Sequence, residues 1–216
     1  MRVTCAIVSG GRSRRMGRDK ATVPLGGKPL IAHVFDVAKR VFTDIMVVSS
    51  LHTAVDGMDA RVVKDILPLP GALTGIVSAL LAADTDYVFV LGCDMPFVTA
   101  EAMRYVVEAA AGEDIIIPQT EGGLEPMHAL YRRSCISPML TALGRGHMKI
   151  AGLVSGRMKI ADIFAMVSVR VLPPDPVFFN RGVSVFMNVN TEEDLRRAER
   201  LIRRGGDRGD AGSGPR

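Results

Sequence analysis

The chain has no tryptophan, and aromatic residues make up only 5% of its 216 residues. Proteins that bind single-stranded nucleic acid stack bases on aromatic side chains, so this scarcity argues against a nucleic-acid partner. The three cysteines (Cys5, Cys93 and Cys135) are too few and too scattered for a disulfide framework or a zinc site. No apolar run reaches the ~18 residues of a membrane helix, and the first residues lack the pattern of a signal peptide. We therefore expect a cytoplasmic protein without membrane contacts.

Positive charge is concentrated in one short segment. The chain has 27 Lys and Arg against 23 Asp and Glu, a net charge of +4. Residues 11–20 hold five cations and a single acid, which is also a net +4, so the rest of the chain is neutral. A neutral remainder argues against an extended nucleic-acid surface and favours one compact anionic ligand.

The loop that holds these charges, residues 9–20, directly follows a buried-type strand, Val3–Val8. It contains the adjacent glycines Gly10 and Gly11 and the cations Arg12, Arg14, Arg15, Arg18 and Lys20. Glycines let backbone N–H groups approach a ligand closely, and cations neutralise a polyphosphate. The spacing fits neither a Walker A motif nor the Gly-x-Gly-x-x-Gly dinucleotide fingerprint. Anion binding is the favoured interpretation, and a solvated basic turn is the alternative.

Strand-like apolar runs alternate with helix-like periodic segments along the chain. This alternation predicts an α/β three-layer sandwich. We expect one domain over residues 1–204 and a disordered tail over 205–216, which has no core-forming residues. The predicted strands are Val3–Val8, Ile45–Val48, Arg61–Lys64, Tyr87–Leu91, Ile115–Ile117, Met127–Tyr131 and Ser168–Leu172. The predicted helices follow Pro29, span Ile76–Ala83 with Thr74 as a possible cap, follow Thr99, lie near Pro138–Leu143 and Ile150–Val154, and follow Thr191.

In an open parallel sheet, ligands bind beyond the carboxyl ends of the strands. The Gly10-Gly11 loop, Asp65 and Asp94 all follow predicted strands and so are expected at that edge. Mg²⁺ in phosphate chemistry is usually held by one or two carboxylates together with substrate phosphates, a role that suits Asp94. A turn or cap aspartate before Pro96 is the alternative reading of the same residue.

Five motifs together resemble a known family. Val8 to Ala21, followed by the stretch from Pro24 to Leu30, resembles the opening of the molybdenum cofactor guanylyltransferases. Four further motifs with family counterparts follow along the chain. They are Pro70-Gly71-Ala72-Leu73-Thr74-Gly75, Cys93-Asp94-Met95-Pro96-Phe97, Glu125-Pro126-Met127-His128-Ala129-Leu130-Tyr131, and Asn188-Val189-Asn190-Thr191 with Asp194. The family has a proline where this chain has Glu192.

The resemblance implies a mostly parallel, doubly wound, Rossmann-like sheet of the nucleotidyltransferase type. It also implies a reaction in which the terminal phosphate of molybdopterin attacks the α-phosphate of GTP and pyrophosphate leaves, with Mg²⁺ as cofactor. The residues implied for GTP are Val8, Ser9, Gly10, Gly11, Lys20, Ser49, Asp65 and Asp94, with Asp94 on the metal. Ser49 stands where the family often has asparagine. Asn188 and Asn190 are implied on the pterin side, with helix capping as the alternative. Arg15 is our addition as a phosphate contact, from its charge and position.

Two rival functions stay open at this stage. The nearest is a related nucleotidyltransferase that uses CTP or a sugar phosphate. Another is a non-catalytic protein that binds GTP or delivers cofactor, with transient contacts to molybdoenzymes or cofactor chaperones. His128, on an alternating strand, is read as structural, with a position facing the pterin as the alternative. No nucleic-acid partner is expected.

Overall fold

A computed structural model describes residues 1–9, 20–49, 57–65, 72–150 and 160–206. Gly10, Gly11 and Arg15 therefore lie outside the described residues. The strands are Val3–Ser9 (β1), Pro24–Leu25 (β2), Lys28–Pro29 (β3), Asp44–Ser49 (β4), Arg61–Lys64 (β5), Tyr87–Gly92 (β6), Ile115–Thr120 (β7), Gly123–Leu124 (β8), His128–Arg132 (β9), Val169–Leu172 (β10), Phe179–Asn180 (β11) and Val183–Ser184 (β12). The α-helices are Leu30–Ala38 (α1), Ala72–Ala82 (α2), Ala100–Glu108 (α3), Ile136–Ile150 (α4) and Glu192–Gly206 (α5).

The main sheet has the strand order β10-β7-β9-β6-β1-β4-β5, with β8 paired to β7. Along this order neighbouring strands are parallel except around β9, which runs antiparallel to both β6 and β7, and β8 is also antiparallel to β7. The predicted mostly parallel α/β sheet is confirmed. Because β9 runs in the opposite direction, its first residues lie at the same edge as the carboxyl ends of the parallel strands.

Alternation along β1 shows how the sheet is covered on both faces. Cys5 and Ile7 pack into a cluster with α1 and α3, whereas Ala6 and Val8 pack into a second cluster with α2 and α4. All four side chains are buried. Side chains on a strand alternate between the two faces, so a continuous apolar strand requires a helical layer on each side. This arrangement is the predicted three-layer sandwich.

Helices α1, α3 and α5 begin where their local signals predicted. Leu30 begins α1 directly after Pro29, and the Thr99 hydroxyl accepts a hydrogen bond from the Ala102 N–H at 3.2 Å at the start of α3. The exception is Thr74, a predicted cap that lies inside α2 and is buried. Its position within the helix means that the capping prediction was wrong, because the apolar Leu73 continues the buried face towards the amino end.

The two helical stretches predicted near Pro138–Leu143 and Ile150–Val154 correspond in part to one helix, α4, and residues 151–159 lie outside the described residues. Helix α5 extends to Gly206, and residues 207–216 of the predicted tail likewise lie outside them. No helix in the described part of the chain is long and apolar enough to cross a bilayer. All three cysteines are buried free thiols, as expected from the sequence.

A third, smaller cluster joins α5 to the β2–β3 hairpin. It contains Leu25, Leu30 and Ala198, with Ile202 packed against it. This cluster holds the carboxyl-terminal helix close to the chain that follows residue 19. The first turn of α5 therefore lies at the same edge of the sheet as Lys20.

Candidate active site

The predicted strand-end residues meet at one edge of the sheet. Ser9 ends β1 and is paired in register with Ser49 at the end of β4, which is paired with the last residue of β5. Asp65 follows β5 directly, and Asp94 lies two residues after the end of β6. Ser9 and Ser49 are both buried. The edge therefore gathers the residues expected to contact the nucleotide, in the place where parallel α/β sheets bind ligands.

Lys20 joins two oxygen-bearing side chains at this edge. Its Nζ donates to Asp94 Oδ2 at 3.1 Å and also to the Asn190 side-chain oxygen. The Lys20 and Asp94 side chains are about one-fifth exposed, at 22% and 19%. A charge pair that is largely shielded from water is screened less than a surface pair, so the attraction between Lys20 and Asp94 is stronger. This attraction holds the ammonium group in place. Three distant parts of the chain thus converge on one cation.

The main chain fixes Asp94 independently of its side chain. The Val189 N–H donates to the Asp94 carbonyl at 2.9 Å, and the Cys93 N–H donates to the Val8 carbonyl at 3.2 Å. Gly92 also matters here, because a Cβ on it would lie 2.9 Å from Asp94 Oδ1. Glycine therefore leaves room for the carboxylate to sit above the end of β6.

The two asparagines of the Asn-Val-Asn motif differ in what they contact. Asn188 donates from Nδ2 to the Phe186 carbonyl at 3.2 Å, a local contact. The Asn190 side chain instead reaches Lys20. Helix capping, the alternative role, belongs to Thr191 and Asp194. The Asp194 Oδ2 accepts from the backbone N–H groups of Asn190 and Thr191 at 3.0 and 2.9 Å, and the Asp194 N–H donates to the Thr191 hydroxyl at 3.1 Å.

Asp194 is held ionised by this capping box. Burial opposes its ionisation, but hydrogen bonds from the Asn190 and Thr191 N–H groups and the Thr191 hydroxyl lower the pKa of Asp194 below its ordinary value. The same bonds fix the backbone of Asn190. The start of α5 is therefore a rigid support for the side chain that meets Lys20.

Asp65 is anchored from two sides, one of which sequence reasoning missed. Its N–H donates to the Ser49 carbonyl at 3.0 Å, as expected for chain that continues the sheet edge. The Ser78 hydroxyl, on α2, donates to Asp65 Oδ1 at 2.7 Å. Ser78 is 1% exposed, and with Thr74 one turn earlier it is one of two buried polar side chains in a largely apolar helix. Buried polar residues one helical turn apart were the available signal.

His128 does not face the site. It is fully buried, with ring centroids 5.2 Å from both Phe89 and Phe186 in edge-to-face geometry. Neither ring nitrogen has a hydrogen-bond partner among the described residues. Burial lowers the pKa of His128 to about 3, and a weak backbone contact with Ala102 offsets this only slightly. The structural interpretation holds, and the alternative of a pterin-facing histidine was wrong.

The oxygen donors at this edge would suit a magnesium ion that is held mainly by substrate phosphates. Asp94 supplies a carboxylate and Asn190 an amide oxygen, both hard donors that Mg²⁺ accepts. The described residues contain no group of three or more His, Cys, Asp or Glu side chains that could form a complete protein cage. A single carboxylate together with phosphate oxygens is the arrangement that such a site allows.

A mostly parallel α/β sheet whose carboxyl edge brings Lys20, Asp94 and Asn190 together has the architecture expected of a nucleotidyltransferase. The sequence profile of the MobA-like NTP transferase domain matches residues 5–159, and the chain belongs to that family. It is 33% identical to a probable molybdenum cofactor guanylyltransferase from Pelotomaculum thermopropionicum, over 92% of each chain. It is 31% identical to the molybdenum cofactor guanylyltransferase of Desulfosudis oleivorans, over 94% of this chain and 97% of that one.

A solved structure shows the same architecture. Molybdopterin-guanine dinucleotide biosynthesis protein A from Archaeoglobus fulgidus superposes with a TM-score of 0.76 at 26% identity, covering 93% of this chain and 99% of that one. The predicted family and the class of enzyme, a nucleotidyltransferase, are thereby confirmed.

Proposed function

We propose that this protein transfers GMP from GTP to the terminal phosphate of molybdopterin. An oxygen of the acceptor phosphate attacks the α-phosphorus of GTP, the bond to the β-phosphate breaks, and pyrophosphate leaves with its electron pair. The Lys20–Asp94–Asn190 cluster at the nucleotide edge is the observation that carries this proposal. It is supported by the names of relatives that align over nearly the whole chain.

The reaction needs positioned charge more than a reactive side chain. The nucleophile is already an anionic phosphate, so no base or nucleophilic residue has to create it. Lys20 would neutralise charge on the phosphates and is held ready by its two oxygen partners. Preorganised cations of this kind act because they need no rearrangement as charge moves to the leaving group.

We further propose that the enzyme depends on Mg²⁺, held by Asp94 and substrate phosphates. A bound Mg²⁺ supplies charge neutralisation and alignment of the phosphates. Asp94→Asn should then lower pyrophosphate release by about 10²-fold or more, because an amide is a weaker ligand than a carboxylate. Melting temperature should stay near that of the wild type.

A matched control lies at the other end of the same strand. Asp86 is exposed and paired with Arg132 at 2.9 Å, away from the nucleotide edge. Asp86→Asn should leave pyrophosphate release unchanged. Full turnover by Asp94→Asn would remove Asp94 from the mechanism and would favour a non-catalytic binding protein.

The preference for guanine over cytosine can be tested directly. We propose GTP as the donor, in keeping with the relatives' names. Purified protein with molybdopterin and Mg²⁺ should incorporate GMP in a mixture of GTP and CTP. Preferential incorporation of CMP would instead identify a cytidylyltransferase. A cytoplasmic location and contacts with molybdoenzymes or cofactor chaperones stay predictions.

A further inference from the structure

The sheet edge continues beyond Asp94, on the side away from the nucleotide strands. Ser9, Ser49 and Asp65 follow β1, β4 and β5, which lie on one side of β6. On the other side come β9 and then β7. The first residues of β9 and the last of β7 reach the same edge as Asp94. A reaction with two substrates needs room for both of them at the sheet edge. In this second half of the edge, on the β9 and β7 side of Asp94, the acceptor can lie on the opposite side of the phosphates from the nucleotide base.

Glu125 occupies this second half and is tied to both of its strands. Its N–H donates to the Pro118 carbonyl of β7 at 2.9 Å, and its carbonyl accepts from the His128 N–H at 3.0 Å. The Met127 carbonyl accepts from the Gly92 N–H at 3.0 Å, which links this turn to the strand that carries Asp94. One to two strand spacings separate Glu125 from β6, about 5–10 Å across the sheet.

The Glu125 side chain is a partly buried carboxylate with little to compensate its charge. The Thr120 hydroxyl donates to Oε1 at 3.2 Å, and no described residue forms a salt bridge with Glu125. Burial raises the pKa of Glu125, and the bond from Thr120 opposes the rise only in part. A carboxylate removed from water in this way gains most from ligand N–H donors that replace its lost hydration.

We infer that Glu125 binds the pterin ring of the acceptor through the amino-oxo edge of that ring. A pterin presents a ring N–H and an exocyclic amino group side by side, and a carboxylate accepts from two such donors at once. This inference rests on the proposed function, which makes a pterin the acceptor. Guanine carries a similar edge, but the strands expected to hold it lie on the opposite side of Asp94.

Glu125→Gln tests this role with almost no change of shape. A carboxamide keeps one acceptor and turns a donor toward the second ligand N–H. The KM for molybdopterin should therefore rise roughly 10- to 100-fold, the range for a lost hydrogen bond to a charged group. The KM for GTP and the melting temperature should stay within error of the wild type. Glu121→Gln, an exposed glutamate on the same connection, is the control and should change neither KM.

A second comparison separates pterin recognition from guanine recognition. Inosine triphosphate lacks the exocyclic amino group of guanine. The ratio of kcat/KM for GTP to kcat/KM for inosine triphosphate therefore measures how strongly the enzyme recognises that amino group. Glu125→Gln should leave this ratio unchanged. A collapse of the ratio, or an unchanged KM for molybdopterin, would overturn the inference. Failure of the wild-type protein to release pyrophosphate from GTP and molybdopterin would overturn the proposed function itself.

Discussion

The buried histidine at the start of β9 predicts a specific loss of stability in acid. His128 is enclosed by aromatic rings and has a folded-state pKa of about 3, against 6.5 for the free side chain. Its neutral form is therefore favoured in the folded protein, and the unfolded chain takes up the proton first as pH falls. The contribution is complete above pH ~6.5 and is lost progressively as pH drops toward the folded-state pKa.

The size of the effect follows from the same pKa difference. Each pH unit below the unfolded-state pKa changes the free energy of unfolding by about 1.36 kcal/mol. Going from about pH 7.5 to about pH 5 should therefore cost roughly 2 kcal/mol through this one group. A cation–π attraction of about 1 kcal/mol from Phe89 and Phe186 would still leave the folded-state pKa below pH 5, so the expected loss stays at roughly 2 kcal/mol.

Urea unfolding at the two pH values, in wild type and His128→Leu, measures this contribution directly. Carboxylates with lowered pKa, such as Asp114 and Asp194, also weaken the fold in acid, but they are common to both proteins. The wild type should lose roughly 2 kcal/mol more than the variant. Leu130→Ala, a buried truncation on the same strand, controls for lower overall stability and should keep the wild-type pH difference.

Equal losses in wild type and His128→Leu would refute the reasoning. They would mean that the imidazole gains water or an acceptor in solution. NMR of the ring offers an independent check, because its carbon shifts should stay those of the neutral form down to about pH 4.

Two further predictions concern residues that support the site. Asn190→Ala should lower kcat/KM for pyrophosphate release by roughly tenfold, because Lys20 loses one of its two partners, whereas Asn188→Ala should have a smaller effect. Equal effects would mean that both asparagines act through α5 alone. Ser78→Ala should raise the KM for GTP roughly tenfold with little change in kcat, since Asp65 loses its anchor. In Asp65→Asn the same serine substitution should matter much less, and additive effects would contradict the positioning role.

Local signals sufficed for much of the fold. The strand Arg61–Lys64 and the start of α3 after Thr99 were predicted correctly, because periodicity and a capping side chain act within a few residues. The direction of β9 carries no such signal, since its residues alternate in the same way whichever way the strand runs. Its antiparallel position came only from the structure.

The difference between local signals and long-range packing also applies to the site. Sequence order placed Asp65 and Asp94 at the sheet edge, because the end of a parallel strand is a local property. The contact of Lys20 with Asn190 joins residues 170 positions apart, and that of Ser78 with Asp65 depends on how α2 lies against β5. Contacts of this kind follow from packing, which no pattern in one segment specifies.

The described site residues do not by themselves supply the positive charge that the proposed reaction needs. Lys20 contributes one positive charge, while Asp65 and Asp94 contribute two negative charges. Triphosphate and acceptor phosphate would add several more negative charges at this edge. We predict that the further cations are Mg²⁺ and the four arginines of residues 12–18, in a chain that is otherwise neutral. Ser9 and Lys20, the described residues on either side of that segment, both lie at this edge, which favours a role of those arginines at the phosphates over a general basic surface.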